Sequence, residues 1–308
     1  MIKGKVKENI NSYIFLLPFL IIFLIFLLLP VFYSFYLSLH KVSYSTDLYN
    51  IFSDMKFVGF KNYVELMKDS HFWWSLIVTF YYAILTIPAT IFLGLILAIL
   101  LNNKLFGVSF FRSAYFLPNV LDILVVGIIW TFIYSPHYGI LSRTLSAIGI
   151  ETFSKEGVLA NARTALPGIA LAMVLRGAGF GMILFLAAIQ NIPKSIYEAA
   201  EIDGAGAWQK LWYVTIPLVK PIILFLVITG TIASLNAFTE IYAMTQNGGP
   251  FTVTFMGEIQ GATKLSGYYL FENWQQMRYG YAAAISYVLL IITLIFSLVY
   301  ARVLRSKK

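Results

Sequence analysis

The chain alternates between long apolar stretches and short polar segments. Six of the apolar stretches reach the roughly 20 residues that a helix needs to cross the hydrocarbon core of a bilayer. They lie near 13–39, 73–101, 114–134, 165–190, 218–245 and 281–303. The pattern therefore predicts an all-α integral membrane domain over residues 13–303, with short polar tails at 1–12 and 304–308. The first stretch is longer than the apolar region of a cleaved signal peptide, which has about 7–15 residues.

A polar segment rich in alanine and glycine separates the fourth and fifth stretches, at about 191–217. Its composition favours a short helix around residues 198–202, a turn at Gly204 and a second helix from residue 207. Proline is tolerated at the start of a helix and interrupts its interior, so Pro217 is predicted to end the second helix before the fifth span. The segment is therefore predicted to form a helix–turn–helix hairpin that lies against the membrane.

The hairpin carries small side chains and bulky side chains, and the two sets are expected to have different roles. Small residues leave a shallow surface that the cleft of another protein can accept closely: Ala199, Ala200, Ala205 and Ala207. Bulky residues are expected to pack back on the ends of the spans: Trp208, Leu211 and Trp212. The alternative is an interfacial hairpin without a partner, since tryptophan is common at membrane boundaries.

Composition restricts the class of protein further. Only 12% of the residues are charged, against about 25% in a soluble domain, and the segments between spans are too short to hold an independent core. No phosphate-binding loop with a Gly-Lys-Ser/Thr ending is present, so this chain is not expected to bind nucleotide. The sequence contains no cysteine, which excludes disulfides and thiolate metal sites.

The distribution of Lys and Arg predicts the orientation of the spans. With the N-terminus inside, twelve Lys and Arg fall in roughly sixty residues of inner segments, and nine in roughly a hundred residues of outer segments. Segments rich in Lys and Arg stay in the cytoplasm, so both termini and the 191–217 hairpin are predicted to be cytoplasmic. The formal net charge of +8 is thus a topology signal and does not indicate a nucleic-acid partner.

The hairpin carries Glu198-Ala199-Ala200, then Gly204, then Val214-x-Ile216-Pro217. This pattern resembles the cytoplasmic EAA loop of binding-protein-dependent ABC importer permeases, which an ATPase subunit grips. The resemblance implies that six residues of this chain connect ATP hydrolysis by a partner to movement in the membrane. They are Glu198, Ala199, Ala200, Asp203, Gly204 and Pro217.

Shorter strings extend the resemblance, in family order, to the sugar-importing branch of the maltose and glycerol-phosphate type. They include Phe15-Leu16-Leu17-Pro18-Phe19, Phe57-Val58-Gly59-Phe60, Phe110-Phe111-Arg112, Asn247-Gly248-Gly249-Pro250 and Tyr279-Gly280-Tyr281-Ala282-Ala283. Three departures lie outside the hairpin. Arg176 stands where the family commonly has lysine, Gln246 lengthens the usual Thr-x-Gly-Gly-Pro turn, and Asp122 replaces an apolar residue or proline.

The resemblance implies a six-span transmembrane domain of the type I ABC importer fold. The implied function is that of one permease subunit in an ATP-driven importer for a sugar or oligosaccharide. The implied partners are a second, different permease, two copies of a cytoplasmic ATPase and an extracellular solute-binding protein. The chain is expected to be non-catalytic and to bind no cofactor, with ATP and Mg²⁺ held by the ATPase. The expected location is the cytoplasmic membrane of a bacterium or archaeon.

Three ionisable residues fall within the predicted spans: Asp122, Arg176 and Glu240. Such groups usually face a cavity or a partner, because an unpaired charge at membrane depth is costly. Asp122 and Arg176 are expected to neutralise one another between adjacent helices. Glu240 is expected to lie near enough to the outer surface to be wetted.

The fifth span is rich in polar residues and is the predicted substrate site. Asn236 and Glu240 are four residues apart, hence on one face of a helix, and Ser234 lies within about two turns of both. Sugars are recognised by hydroxyl and amide hydrogen bonds together with an aromatic face. Asn236, Ser234 and Glu240, with Tyr242 or Phe180, are therefore the candidate substrate-binding residues. The alternative is hydrogen bonding between helices, worth about 0.6 kcal/mol on average in membranes.

Two other function classes stay open at this point. A secondary transporter needs a coupling-ion site and usually shows inverted repeats, and no convincing repeat relates the two halves. An intramembrane lipid-modifying enzyme needs a catalytic site. His40, His71 and His137 are near the predicted outer boundaries and have no carboxylate or histidine at metal-ligand spacing.

Overall fold

The structure is a computed structural model that describes residues 15–42, 55–103, 106–149 and 157–305. The predicted N-terminal tail at 1–12 and the last three residues of the chain lie outside the described residues. The described helices are α1 (Phe15–Ser38), α2 (Lys61–Lys68), α3 (Ser70–Leu101), α4 (Val108–Val120), α5 (Ile123–Ile133), α6 (Ile140–Ala147), α7 (Ala165–Gln190), α8 (Lys194–Ile202), α9 (Ala207–Leu235), α10 (Thr239–Met244), α11 (Ser266–Gln275) and α12 (Tyr279–Arg305). The strands are β1 (His40–Lys41), β2 (Lys56–Phe57), β3 (Phe251–Phe255) and β4 (Glu258–Gly261).

Among the described residues, five helices are long and apolar enough to cross a membrane, and the bent pair of α4 and α5 makes a sixth if it is one span. The other five are α1, α3, α7, α9 and α12. The predicted stretch 165–190 coincides with α7, and 73–101 and 281–303 lie within α3 and α12. The prediction of an all-α, six-span membrane domain is confirmed.

The third span is broken, which the sequence pattern did not predict. Helices α4 and α5 meet at an angle of 102°. Between them Leu121 is extended, and the Asp122 carboxylate accepts the N–H of Leu124 at 2.8 Å and so caps α5. Arg176 Nη2 donates to the carbonyl of Asn119 at 3.3 Å and to that of Leu121 at 3.1 Å. Protein groups thus satisfy backbone atoms on both sides of the break, as a break at membrane depth requires.

The expected neutralisation of Asp122 by Arg176 is therefore wrong. The carboxylate accepts from the backbone of α5, and the guanidinium donates to backbone carbonyls at the end of α4 and just after it. At a break, the last carbonyl groups of one helix and the first N–H groups of the next lack partners within the helices. Arg176 donates to two of these carbonyls, and Asp122 accepts from one of these N–H groups.

The fifth span also ends earlier than predicted. Helix α9 stops at Leu235, and α10 starts only at Thr239. Asn236 is the C-cap of α9, and its Nδ2 donates to the carbonyl of Ile232 at 2.8 Å. Because the helix stops between them, Asn236 and Glu240 do not share one helical face, and that expectation is wrong.

The chain forms two compact units. One consists of the described residues before position 70 and of Leu270–Val288. Here β1 and β2 pair antiparallel, and Asn62 Nδ2 donates to the carbonyl of Ser38 at 2.8 Å. An ion pair of 2.6 Å joins Arg278 to Glu65. Side chains of α2 thus tie together segments that are far apart in the sequence.

The second unit contains α3 to α10, both strands β3 and β4, and two apolar cores. One core joins α3, α7 and α10 and includes Tyr82, Ile169 and Ile241; the other joins α3, α7 and α9 and includes Met182 and Val219. Because lipid tails are as apolar as these side chains, the cores stabilise the unit through close van der Waals packing. The polar groups described below are held by this packed frame.

Close helix approach in the second unit depends on glycine. A Cβ placed on Gly179 would lie 2.0 Å from the carbonyl oxygen of Tyr115, so the backbones of α7 and α4 nearly touch. A Cβ on Gly94 would lie 3.1 Å from the backbone of Gly181. Helix α7 is unbroken through Gly179 and Gly181, so the role of these two glycines is packing.

A β-hairpin is fastened to the first turn of α3. Strands β3 and β4 pair antiparallel. His71 Nε2 lies 3.4 Å from a Glu258 carboxylate oxygen, and His71 Nδ1 is bonded to Gln260. Trp74 Nε1 donates to the carbonyl of Gly261 at 2.9 Å. His71 therefore has a carboxylate neighbour that is far away in the sequence, which spacing alone could not predict.

Candidate functional site

The predicted helix–turn–helix hairpin at 191–217 is present. Helix α8 is followed by a four-residue turn, and the N–H of Ala205 donates to the carbonyl of Ala200 at 2.8 Å, which closes the end of α8. Gly204 has φ +78°, a conformation that glycine adopts without steric cost. A Cβ on Gly204 would meet nothing within 4 Å. Glycine is thus required here by the backbone conformation and not by lack of space.

The six residues predicted to connect with an ATPase lie at the surface of the chain. Ala200 is half-buried, and the others are exposed: Glu198, Ala199, Asp203, Gly204 and Pro217. The structure brings the first five together on α8 and its turn. Pro217 lies apart from them on α9.

Pro217 does not end the second helix of the hairpin, so that prediction is wrong. The helix that starts at Ala207 runs without interruption to Leu235. A wide π-helical turn at Leu211–Thr215 precedes the proline, and the N–H of Ile216 bonds to the carbonyl of Leu211, five residues back. The proline follows where the α-helix restarts, a position at which its missing N–H is tolerated. The hairpin and the fifth span therefore share one helix.

The bulky side chains of the hairpin do not pack back on the spans as expected. Trp208 is 72% exposed and Trp212 is 59% exposed, while Leu211 is half-buried. Trp208 borders an open cavity of about 740 Å³ between the hairpin and the ends of α3 and α7. The hairpin thus presents both small and aromatic side chains on the surface of this chain.

A second cavity lies among α3, α5, α7 and α9 and has a volume of about 290 Å³. Apolar lining comes from Phe180, Leu226 and other side chains. Its polar lining consists of hydroxyl, amide and charged groups: Tyr82, Thr86, Thr90, Asn119, Arg176, Thr229, Ser234 and Glu240. An apolar cavity with a few convergent polar groups is the usual form of a small-molecule site.

Arg176 lines this cavity, and its guanidinium is only partly hydrogen-bonded. Its Nη2 is used by the carbonyls of Asn119 and Leu121 at the break in the third span. Its Nε is buried and has no hydrogen-bond partner. A buried donor without an acceptor is costly, by about 1–3 kcal/mol or more for a charged group. Because this atom is enclosed by the chain itself, it is not accessible to a ligand in the cavity.

Glu240 is more enclosed than predicted. The residue is 8% exposed, so the expectation that it is wetted at the surface is wrong. The Tyr82 hydroxyl donates to Glu240 Oε1 at 3.1 Å, which joins α10 to α3. Glu240 also lines the cavity among α3, α5, α7 and α9.

The cavity brings together three of the five candidate substrate-binding residues: Phe180, Ser234 and Glu240. Asn236 and Tyr242 are not among its lining residues. Asn236 is instead bonded to the end of its own helix, and Tyr242 contacts the ring of Phe238 at 5.5 Å between centroids. The early end of α9 explains the difference, because it turns the chain after Leu235.

Sequence reasoning missed the contribution of α3 to the cavity. Tyr82, Thr86 and Thr90 follow one another at intervals of four residues, so they lie on one face of a helix. All three line the cavity. This polar stripe in an apolar helix was the signal that could have found them. Within the described ranges, no group of three or more His, Cys, Asp or Glu side chains could hold a metal ion.

Comparison with known proteins identifies the family. Residues 70–308 match the family described as the binding-protein-dependent transport system inner membrane component. The trehalose/maltose transport system permease protein MalF of Thermococcus litoralis is 31% identical over 306 residues, which cover 99% of this chain and 97% of that protein. The lactose transport system permease protein LacF of Rhizobium radiobacter is 35% identical over 303 residues, covering 97% and 96%.

Solved structures agree on the fold. A crystal structure of a bacterial ABC transporter involved in the import of the acidic polysaccharide alginate contains a chain that superposes with a TM-score of 0.80 at 23% identity. The match covers 100% of this chain and 99% of that chain. The family works with binding proteins, so the alternatives of a secondary transporter and of a lipid-modifying enzyme are set aside, and the prediction of a non-catalytic transport subunit is confirmed. The chain is a multi-pass membrane protein that belongs to the binding-protein-dependent ABC transport permeases.

Proposed function

We propose that this chain translocates a sugar or oligosaccharide, delivered by an extracellular solute-binding protein, through the cavity among α3, α5, α7 and α9. Relatives that match almost its whole length are named for the transport of trehalose, maltose and lactose. The cavity is the observation that carries the proposal. Hydroxyl groups from α3 and α9, the guanidinium of Arg176 and the ring of Phe180 supply the polar contacts and the apolar face that a sugar needs.

The charge of the cavity supports an uncharged substrate. Arg176 and Glu240 are the charged residues of its lining, so their formal charges cancel. Glu240 offers an acceptor to sugar hydroxyl groups, and Arg176 offers a donor. A substrate that carries carboxylates would meet no net positive charge here.

The 191–217 hairpin is the proposed contact for the ATPase. Its turn and its small side chains are accessible, and Ile202 and Trp208 are 87% and 72% exposed. The proposed assembly contains this chain, a second and different permease, and two ATPase subunits that hold ATP and Mg²⁺. Both termini and the hairpin face the cytoplasm of a bacterium or archaeon, following the excess of Lys and Arg in these segments.

Reconstitution tests the proposed function. The chain is expressed with the second permease and the ATPase, purified, and placed in proteoliposomes with its binding protein and radiolabelled maltose, lactose or a uronate oligosaccharide. We expect a neutral sugar to stimulate ATP hydrolysis and to enter the vesicles, and the uronate to do neither. Uptake that is driven by an ion gradient without ATP, or uptake of the uronate alone, would contradict the proposal. Active complexes that contain this permease and the ATPase alone would contradict the heteromeric assembly.

A further inference from the structure

Two side-chain contacts join α8 to α9 across the turn of the hairpin. Lys210 Nζ lies 2.7 Å from Glu201 Oε1, and the Glu201 side chain of this ion pair is 60% exposed. The Tyr197 hydroxyl lies 3.0 Å from Thr215 Oγ1. The two contacts differ in their contribution to stability. An exposed ion pair in water contributes little, whereas the hydrogen bond is part-buried and less exposed to water.

The Tyr197 contact belongs to a directed chain of hydrogen bonds. Thr215 is 6% exposed, and its hydroxyl donates to the carbonyl of Lys210 at 3.3 Å. A hydroxyl has one proton, so Thr215 accepts from Tyr197 while it donates to Lys210. Thr215 is also the last residue of the π-helical turn. The contact therefore fixes α8 to the point at which the hairpin helix becomes the fifth span.

No comparable contact holds α8 to the other spans. The cavity of about 740 Å³ separates it from the ends of α3 and α7, which contribute Asn102, Asn103 and Gln190 to the opposite wall. In the part of the chain that the structure describes, the side chains of α8 form hydrogen bonds with residues of α9 and with none of α3 or α7. The side-chain hydrogen bonds of α8 thus run to α9, and its connection to α7 is the short segment 191–193.

Helix α9 leads from this point to the substrate cavity. It runs without a break from Ala207 to Leu235, and Thr229 and Ser234 on its far half line the cavity among α3, α5, α7 and α9. The helix is continuous through its π-helical turn and through Pro221. The hairpin and the cavity wall are therefore joined by one helix.

We propose that Tyr197 and Thr215 form a clasp that fixes α8 to α9, so that movement of the hairpin is passed through α9 to the wall of the cavity. Both are positioning residues and neither touches the substrate. The inference rests on the proposed function, because it assigns the mechanical step between ATP hydrolysis and the opening of the substrate site.

Distance measurements test the clasp without reference to transport. The chain contains no cysteine, so spin labels can be placed on the exposed positions Ser195 of α8 and Lys220 of α9 in the assembled complex. Tyr197→Phe and Thr215→Val are expected to broaden the distance distribution between the two labels. Tyr213→Phe is the matched control, because Tyr213 lies in the same turn and is 80% exposed, and it should leave the distribution unchanged.

The ratio of ATP hydrolysed to sugar transported is the functional readout. Loss of one buried hydrogen bond shifts an equilibrium by about two- to ten-fold, so we expect this ratio to rise by about that factor in Tyr197→Phe and in Thr215→Val. The double variant should show no further rise, since either change opens the same clasp. Thr215→Ser keeps the hydroxyl and should behave like the native chain.

An unchanged ratio together with an unchanged distance distribution in both single variants would overturn the clasp and leave the proposed function intact. Additive effects in the double variant would also overturn it. If the native complex transports no sugar, the proposed function fails, and the distance distributions still decide whether Tyr197 and Thr215 hold α8 to α9. If Tyr197→Phe and Thr215→Val do not assemble, native behaviour of Thr215→Ser supports the hydroxyl contact and loss of the distance constraint in Thr215→Ser opposes it.

Discussion

The 191–217 hairpin is shaped by local backbone conformation, whereas the substrate cavity is shaped by packing between helices. The hairpin depends on local conformation: Gly204 occupies a left-handed turn with open space around it. The cavity depends on close packing between distant helices, as at Gly179, where a Cβ would meet the backbone of α4 at 2.0 Å. The comparison teaches that one glycine is needed for its backbone angles and the other for its small volume, so substitutions should separate the two regions.

The largest effect is expected from Gly179→Ala. The added Cβ cannot be accommodated against the Tyr115 carbonyl without moving α4 or α7, and overpacking of this kind destabilises by about 3 kcal/mol. We expect the amount of detergent-stable protein to fall sharply, as measured by size-exclusion chromatography after extraction.

Gly206→Ala is the matched control for Gly179→Ala, because it lies in the hairpin and its Cβ would have ordinary contacts, the nearest being 3.7 Å from Gln209 Oε1. It should cost less than about 1 kcal/mol, from the weaker N-cap. Equal yields of Gly179→Ala and Gly206→Ala would remove the distinction between the two regions.

The second effect is expected at Gly204. A β-branched residue disfavours the left-handed conformation by about 1–2 kcal/mol or more, so Gly204→Val should distort the turn without touching the packed core. Membrane insertion and assembly should survive, whereas uptake and sugar-stimulated ATP hydrolysis should be lost. Normal uptake by assembled Gly204→Val complexes would mean that the turn conformation is not needed to receive the ATPase.

The same difference explains how much could be predicted from the sequence. The length of the apolar stretches predicted the spans, and for α7 it gave both end residues correctly. The glycine at position 204 predicted the turn of the hairpin. Both signals are local in the sequence. The break between α4 and α5 was missed because the donor that satisfies Leu121 comes from Arg176, more than fifty residues away in the chain. The contact of Tyr82 with Glu240 bridges an even longer interval.

The wrong assignment of Pro217 has a local cause that sequence rules did not cover. Proline normally ends or kinks a helix, but the π-helical turn before it moves the backbone hydrogen bonds by one residue. Such turns have no sequence signature as clear as a cap or a glycine. Local sequence rules therefore predicted the helices of this protein more reliably than the points at which one helix ends and the next begins.

The third effect concerns the charge of the cavity. Glu240→Gln keeps an acceptor for the Tyr82 hydroxyl and removes the negative charge, and hydrogen bonds to charged groups are worth about 1 kcal/mol more than neutral ones. We expect the apparent affinity for the sugar to weaken by about five-fold, with assembly unchanged, in proteoliposome uptake assays.

Tyr82→Phe measures how much the hydrogen bond between Tyr82 and Glu240 contributes to stability. It leaves the buried Glu240 carboxylate without its hydroxyl donor, so it should lower thermal stability by about 1–3 kcal/mol. A loss of stability in Glu240→Gln as large as that in Tyr82→Phe would show that Glu240 acts through packing and not through the substrate.

The smallest effect separates two neighbouring polar residues of α9. Ser234 lines the cavity, so Ser234→Ala should weaken sugar uptake by about two- to five-fold, the value of one neutral hydrogen bond. Asn236 is bonded to Ile232 at the end of its own helix, so Asn236→Ala should lower stability by about 1 kcal/mol and leave the affinity for the sugar unchanged. Uptake kinetics and thermal unfolding of both variants measure the two quantities side by side. If Asn236→Ala weakens affinity and Ser234→Ala does not, then the sugar is bound beyond the break after Leu235, and the cavity among α3, α5, α7 and α9 is not the site that receives it.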